Sequence, residues 1–200
     1  ALIEMGIRLG KAAAAEAKTL KAPVDVHLPG EPAANPAEKG DVGEFLVGVR
    51  PTQELATIHQ DARALPVLGK YDVVVIGGGT AGAPAGIAAG RHGAKTLVVD
   101  YLHALGGVGT AGAITKYYHG NRVGFSATVE EASASWVIEQ RVEWWRTNLL
   151  DAGVDIWFGT IGCGAFVDGG QVKGAVVTTP QGRGVVLAKV VIDTTGNSDI

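Results

Sequence analysis

One cysteine, Cys163, and one methionine are present in 200 residues. A single thiol excludes an internal disulfide, a CxxC redox pair and any thiolate metal cluster built from this chain alone, and no metal site is expected. Excess positive charge is also missing. Seventeen basic against 20 acidic side chains give a formal net charge of -3 with no basic patch, which leaves no electrostatic ground for nucleic acid or an anionic membrane as partner. The first apolar segment is broken by Arg8, Lys11, Glu16 and Lys18, so no signal-peptide core is legible. These absences fit a reducing, cytoplasmic compartment. Glycine, by contrast, is abundant at 30 of 200 residues, about twice the usual share of roughly 7%. With only 8 prolines beside them, the glycines stay below the level at which disorder becomes the default, and specific backbone roles are expected of them.

Residues 1–22 are rich in Ala, Leu, Lys and Glu and predict a helix, although its apolar stripe is poorly defined. From Pro23 to about Gly69, six prolines among scattered charges read as an extended arm, with a short helix expected over Thr52–Ala64. Nothing in residues 1–70 looks catalytic. From Tyr71 the pattern changes. YDVVVIGGG predicts a buried strand running into a turn, a helix follows over about Thr80–His92, and AKTLVVD supplies a second buried strand. LGGVGTAG is a second glycine-rich loop. Apolar residues at three-and-four spacing predict an amphipathic helix within Thr128–Ala152. VDIWFG, GAFVDGGQVKGAVVTT, GVVLA and KVVID then read as strands and hairpins. The order is α/β: a Rossmann-like parallel sheet over residues 71–200 with an appended antiparallel meander, preceded by the helix and arm.

Val73–Gly90 carries no charge for eighteen residues, nearly the roughly 20 that cross a bilayer. Six glycines and Pro84 weaken any helix there, and no membrane span is expected. A phosphate cradle fits better. Gly77, Gly79 and Gly82 form GxGxxG between strand and helix, and Asp100 ends the next strand 21 residues beyond Gly79. The first glycine makes the tight turn, the second admits a pyrophosphate, and the third lets helix and strand pack closely. Thr80 and Ala81 complete the loop, and the helix N-terminus offers its amides to phosphate. Asp100 is placed to accept hydrogen bonds from a ribose and to repel a 2'-phosphate; it would equally cap the turn that follows it.

With KVVIDTTGNSD at its end, the chain resembles the two-dinucleotide-binding-domain (glutathione-reductase-like) flavoproteins, especially bacterial FAD-dependent oxidoreductases. The resemblance covers about residues 70–200. It implies non-covalent FAD, with Gly77, Gly79 and Gly82 at the pyrophosphate and Asp100 at the adenosine ribose. Gly107, Val108, Gly109, Thr110 and Gly112 would run along the pyrophosphate and ribityl chain, and Thr195 and Gly196 would meet the cofactor at the closing strand. Three residues or motifs depart from the family pattern. Pro84 stands where a small helix former is usual, TTGN replaces ATGD, and the loop lacks the arginines of GGRxxT-type flavoproteins.

In the relatives, the segment TKYYHGNRVGF lies near the flavin ring. His119, with Tyr118 beside it, is therefore the candidate general base, since imidazole exchanges protons near neutral pH; ordinary hydrogen-bonded loop residues are the competing reading. The expected activity is hydride transfer from a small organic substrate, an alcohol or sugar CH-OH, to FAD. Alternatives are a flavin monooxygenase, a non-redox user of the fold, or a non-catalytic dinucleotide-binding scaffold subunit. The sequence stops at Ile200, where the closing strand would turn into its next helix and before the region in which this family binds substrate. A second polypeptide completing the fold, either the separated remainder of one precursor or a distinct subunit, is the expected partner, with the arm as the element that wraps it.

Overall fold

A computed structural model describes residues 2–21, 40–44, 56, 58–61, 64–132, 134–198 and 200. The chain forms helix α1 (Leu2–Thr19), strands β1 (Asp41–Glu44) and β2 (Val67–Ile76), helix α2 (Gly82–Arg91) and strand β3 (Thr96–Val99). Short 3-10 turns at Gly107–Gly109 and Gly124–Ala132 lead to helix α3 (Ile138–Asp151). Strands β4 (Asp155–Trp157), β5 (Ile161–Asp168), β6 (Gln171–Thr179) and β7 (Gly182–Asp193) complete the chain. The helix expected at Thr52–Ala64 lies largely outside the described residues, and those described within it are not helical.

Among the described residues all seven strands join one sheet, in the order β1-β5-β6-β7-β2-β3-β4. Strand β7 unites what the sequence divides into a parallel sheet and a meander. GVVLA and KVVID are one continuous strand that pairs antiparallel with β6 over 182–187 and parallel with β2 over 185–193. VDIWFG, the strand after the predicted amphipathic helix, is β4 and pairs parallel with β3 at the edge of the sheet opposite β1. Part of the arm is likewise sheet, because Asp41–Glu44 pairs antiparallel with β5. The β5–β6 hairpin closes on Gly169 and Gly170, both at positive φ, the conformation that matches a two-residue turn to the strands' twist.

Continuous β-branched runs suit burial on both sheet faces. Val73 and Val75 of β2 pack toward Ala83, Ile87 and Leu149 of the helices. Val74 and Ile76 point to the other face, among Leu97, Val99, Val177 and Val186. The eighteen charge-free residues are thus a strand, a loop and a helix. Among the described residues no helix is long and apolar enough to cross a membrane.

Helix α1 owes its docking to the two glycines that lower its helix propensity. A side chain at Gly6 would overlap the Ala81 carbonyl oxygen and one at Gly10 the Ala85 carbonyl oxygen, so α1 and α2 approach nearly backbone to backbone. Ile7, Ala13, Ala14 and Ala17 continue the buried face. Pro84 costs α2 nothing in hydrogen bonding: it is the third residue of the helix, within the first turn, where amides have no intrahelical acceptor. The amphipathic helix predicted within Thr128–Ala152 is shortened to α3 because residues 134–136 are extended. Lys116 and Ser135 form an antiparallel bridge, and the Trp136 amide donates to the Thr115 carbonyl at 3.0 Å.

Candidate functional site

The β2–α2 turn builds one wall of a cleft of about 1040 Å³, at the upper end of the range of roughly 300–1,000 Å³ for ligand pockets. Gly77 sits at φ +98°, and a Cβ there would lie 2.5 Å from the Thr194 carbonyl oxygen. Its amide donates to the Val99 carbonyl at 2.7 Å. Gly82 has no room either, since a Cβ would overlap the Gly77 carbonyl oxygen and lie 2.6 Å from Thr194 Oγ1. Gly79 differs. A Cβ on it meets only the Gly107 Cα, at 3.8 Å, so its bareness serves the cleft and not the packing. Helix α2 begins behind this loop with Ala81 as its N-cap and no side-chain cap, leaving the positive end of its dipole for a ligand.

The second glycine loop lies against the first. The Gly106 amide donates to the Gly78 carbonyl at 2.9 Å, and Thr80 Oγ1 donates to the Gly106 carbonyl at 3.1 Å. Gly107, Val108 and Gly112 line the cleft. Thr110 turns inward, buried, with its hydroxyl donating to Leu105 at 2.6 Å. Gly109 backs onto an aromatic clamp: Trp136 Nε1 donates to its carbonyl at 2.6 Å, and the buried Arg141 guanidinium stacks 3.4 Å over the Trp136 ring.

Asp100 closes the far side. Its Oδ2 accepts from the Gly78 amide at 2.7 Å and its Oδ1 from the Leu102 amide at 2.8 Å. Burial raises its pKa, against the lowering effect of those two amides. The turn-capping role is therefore realised, and each oxygen keeps a second lone pair for a ribose hydroxyl.

At the closing strand, Thr194 Oγ1 donates to the Ile76 carbonyl at 2.9 Å and the Gly77 carbonyl at 2.7 Å. Asp193 accepts from Thr195 N and Oγ1 at 2.9 and 2.7 Å. Thr195 and Gly196 thereby join the cleft lining. The sequence reading missed Thr194 and Asp193, although they adjoin the residues it named; their hydroxyl and carboxylate in a strand-ending DTT were the available signal.

The cleft gathers Gly77, Gly79, Thr80, Ala81, Asp100, Gly107, Val108, Gly112, Thr195 and Gly196. Gly82, Gly109 and Thr110 stand behind it as packing. His119 and Tyr118 are not brought in: both are exposed, and Tyr118 stacks with Lys116 at 4.9 Å. Among the described residues no cluster of His, Cys, Asp or Glu is arranged to hold a metal ion. The lining contains neither Lys nor Arg, so a diphosphate here would be met by backbone amides and the helix end. That is a dinucleotide cradle, and its fit to FAD is carried by the side-chain-free approach at Gly79 and Gly107.

The profile of the FAD dependent oxidoreductase family matches residues 72–200. No curated protein matches the sequence. Among solved structures, a triple mutant of the flavin-dependent brominase Bmp2 superposes with a TM-score of 0.51 at 18% identity, covering 64% of this chain and 39% of the brominase. THI4 from Thermovibrio ammonificans gives 0.49 at 20% identity, covering 64% of this chain and 58% of that one. This chain thus spans less than two thirds of either structure. The family profile accounts for the glycine loop, Asp100 and the closing strand together, and the chain belongs to the FAD-dependent oxidoreductase family, with FAD as its cofactor.

Proposed function

We propose that this chain holds the FAD of an enzyme that removes hydride from a small organic substrate, an alcohol or sugar CH-OH being the preferred class. The observation that carries this reading is the amide-lined, cation-free cradle between Gly79 and Gly107. The bound flavin supplies the two-electron acceptor. The chain contributes binding and orientation: amides of the Gly77–Gly82 turn take the diphosphate, Asp100 the adenosine ribose, and Gly107–Gly112 the linking chain. Thr195, fixed by Asp193, holds the closing strand against the cofactor with Gly196. His119 and Tyr118, exposed and outside the cleft, receive no proton-transfer step. The substrate side is assigned to a second polypeptide segment, which the exposed apolar rim at Tyr101 and Val108 would contact.

An absorption spectrum before and after acid precipitation tests the cofactor: flavin released to the supernatant is expected, and a yellow pellet would contradict non-covalent binding. Anaerobic titration with alcohols and sugars then tests the reaction. Bleaching of the flavin by at least one of them is expected. Bleaching by a reduced nicotinamide alone, followed by oxygen-dependent hydroxylation of an added substrate, would replace the proposal with a monooxygenase.

A further inference from the structure

Helix α1 lies outside the residues that match the family, yet it lines the cofactor cleft. Leu2, Met5 and Leu9 all border the cleft, and their spacing of three and four places them on one face of the helix. They are 55, 40 and 42% exposed, while the neighbouring face through Gly6 and Gly10 is buried on α2. Folding thus uses one apolar face of α1 and leaves a second turned to the cleft.

The position of this second face is fixed relative to the glycine fingerprint. Gly6 rests on the Ala81 carbonyl so closely that no side chain fits between them, and Ala81 is both the N-cap of α2 and part of the lining. Helix α1 packs against α2, β2 and β7. Asp100 follows β3, which lies on the other side of β2 in the sheet order. An FAD with its adenosine ribose at Asp100 and its diphosphate on the glycine turn would therefore extend its flavin toward β7 and α1.

We propose that Leu2, Met5 and Leu9 are positioning residues that form an apolar wall for the isoalloxazine ring of FAD. The proposal rests on FAD occupying the fingerprint cleft. Aliphatic side chains and a polarizable thioether suit contact with a flat aromatic ring, and covering them removes apolar surface from water. The wall explains why an otherwise buried-face helix keeps three large apolar groups exposed beside a cofactor site.

The test uses the full chain stripped of cofactor, with FAD and ADP affinities measured by calorimetry and bound-flavin fluorescence recorded. ADP carries the diphosphate and adenosine but no flavin. In the Met5→Gln/Leu9→Gln double variant, FAD affinity is expected to fall about tenfold or more, flavin fluorescence to rise, and ADP affinity to change less than about twofold. Because the replaced side chains are exposed in the free protein, the melting temperature should hold. Unchanged FAD affinity would overturn the proposal, as would parallel loss of FAD and ADP affinity, which would make α1 merely structural. Should the double variant not fold, Leu2→Gln at the first described residue carries the same test, with the same selective loss of FAD affinity expected. A wild-type chain that binds neither FAD nor ADP would instead refute the cofactor reading on which the wall rests.

Discussion

The two glycine loops facing each other in the cleft read alike, GGGTAG at 77–82 and GGVGTAG at 106–112, but different forces hold them. The first is held backbone to backbone: a Cβ on Gly82 would meet the Gly77 carbonyl and one on Gly77 the Thr194 carbonyl of the closing strand, to which Thr194 Oγ1 also ties the loop. The second turns on its own backbone, with the Gly112 amide donating to the Gly107 carbonyl at 3.0 Å, and is clamped besides by side chains distant in sequence, through Trp136 on the Gly109 carbonyl and Arg141 on the Trp136 ring. One composition therefore serves two designs. A loop whose glycines are packed by backbone can be read from its spacing, even where the strand it packs on lies far along the chain. A loop clamped by side chains depends on where α3 comes to rest.

Substitutions within the first loop break the comparison most strongly. Gly82→Val drives a branched side chain into the Gly77 carbonyl and should cost about 3 kcal/mol, lowering the melting temperature by roughly 6–12 °C for a chain of this size. Gly79→Val meets only ordinary contact, so stability should stay within about 0.5 kcal/mol while FAD binding is abolished. Thermal melts beside FAD titrations check both. A Gly79 variant that keeps full flavin occupancy would remove the pyrophosphate from this loop.

Asp100→Asn comes next in size, because Asp100 ties the first loop, through Gly78, to the turn at Leu102. An amide can accept from one of those N-H groups only by turning its own NH2 toward the other, at a cost of about 1 to 3 kcal/mol. The pH dependence has a definite sign. Burial raises the folded-state pKa of Asp100 above the ordinary 3.8, so the folded chain holds this proton more tightly than the unfolded one. The resulting stabilisation is fully present below 3.8 and is lost as pH rises through the raised value. The variant should lack that component of the pH–stability curve just above 3.8. An identical curve for both proteins would mean that Asp100 titrates as it does in the unfolded chain.

The second loop should respond more mildly. Trp136→Phe keeps a ring under Arg141 but deletes the hydrogen bond to Gly109, for a loss of about 1 kcal/mol. Weaker FAD binding should accompany it, through a looser Gly107–Gly112 path. If FAD affinity follows Gly79 but ignores Trp136, the second loop does not position the cofactor.

This contrast also explains what was legible in the sequence. The strand, turn, helix and strand from Tyr71 to Val99 could be read because β-branched runs and glycine spacing act within a few residues of themselves; the start of β2 at Val67, inside the expected arm, was not legible. Gly6 and Gly10 carry no sign in the sequence of what they pack against; their use appears only once α2 lies alongside. The helical pattern beginning at Thr128 was genuine as a pattern, yet pairing with 115–117 and the Trp136 clamp take residues 134–136 out of the helix. VDIWFG carries the marks of a strand but none of its partner, so its place at the β3 edge was not legible. His119 looked chemical because of its polar neighbours, and composition has no means of saying which way a loop faces.

The smallest expected effect is at the other end of β2, where Asp72 bonds Lys189 Nζ at 2.8 Å and the Lys95 amide at 2.9 Å. Burial alone would raise the Asp72 pKa, but the Lys189 hydrogen bond, the Lys95 amide and the two lysine charges outweigh it and hold the carboxyl below its ordinary value. A depressed carboxylate contributes stability above its unfolded pKa and loses it as pH falls through the folded one. The sign is therefore opposite to that of Asp100, on the strand beside it. With Asp72 31% and Lys189 22% exposed, solvent screens the pair, and Asp72→Asn should cost only about 0.5 kcal/mol at neutral pH. That gap should close as the solution is acidified below 3.8, and FAD affinity should not change, because the pair lies at the strand end away from the glycine turn. Urea melts of both proteins from neutral to acid pH, with FAD titrations alongside, separate the two carboxylates. A loss of FAD binding in the Asp72 variant would show that the cleft senses the whole length of β2, and the distinction between a backbone-packed first loop and a side-chain-clamped second one would no longer hold.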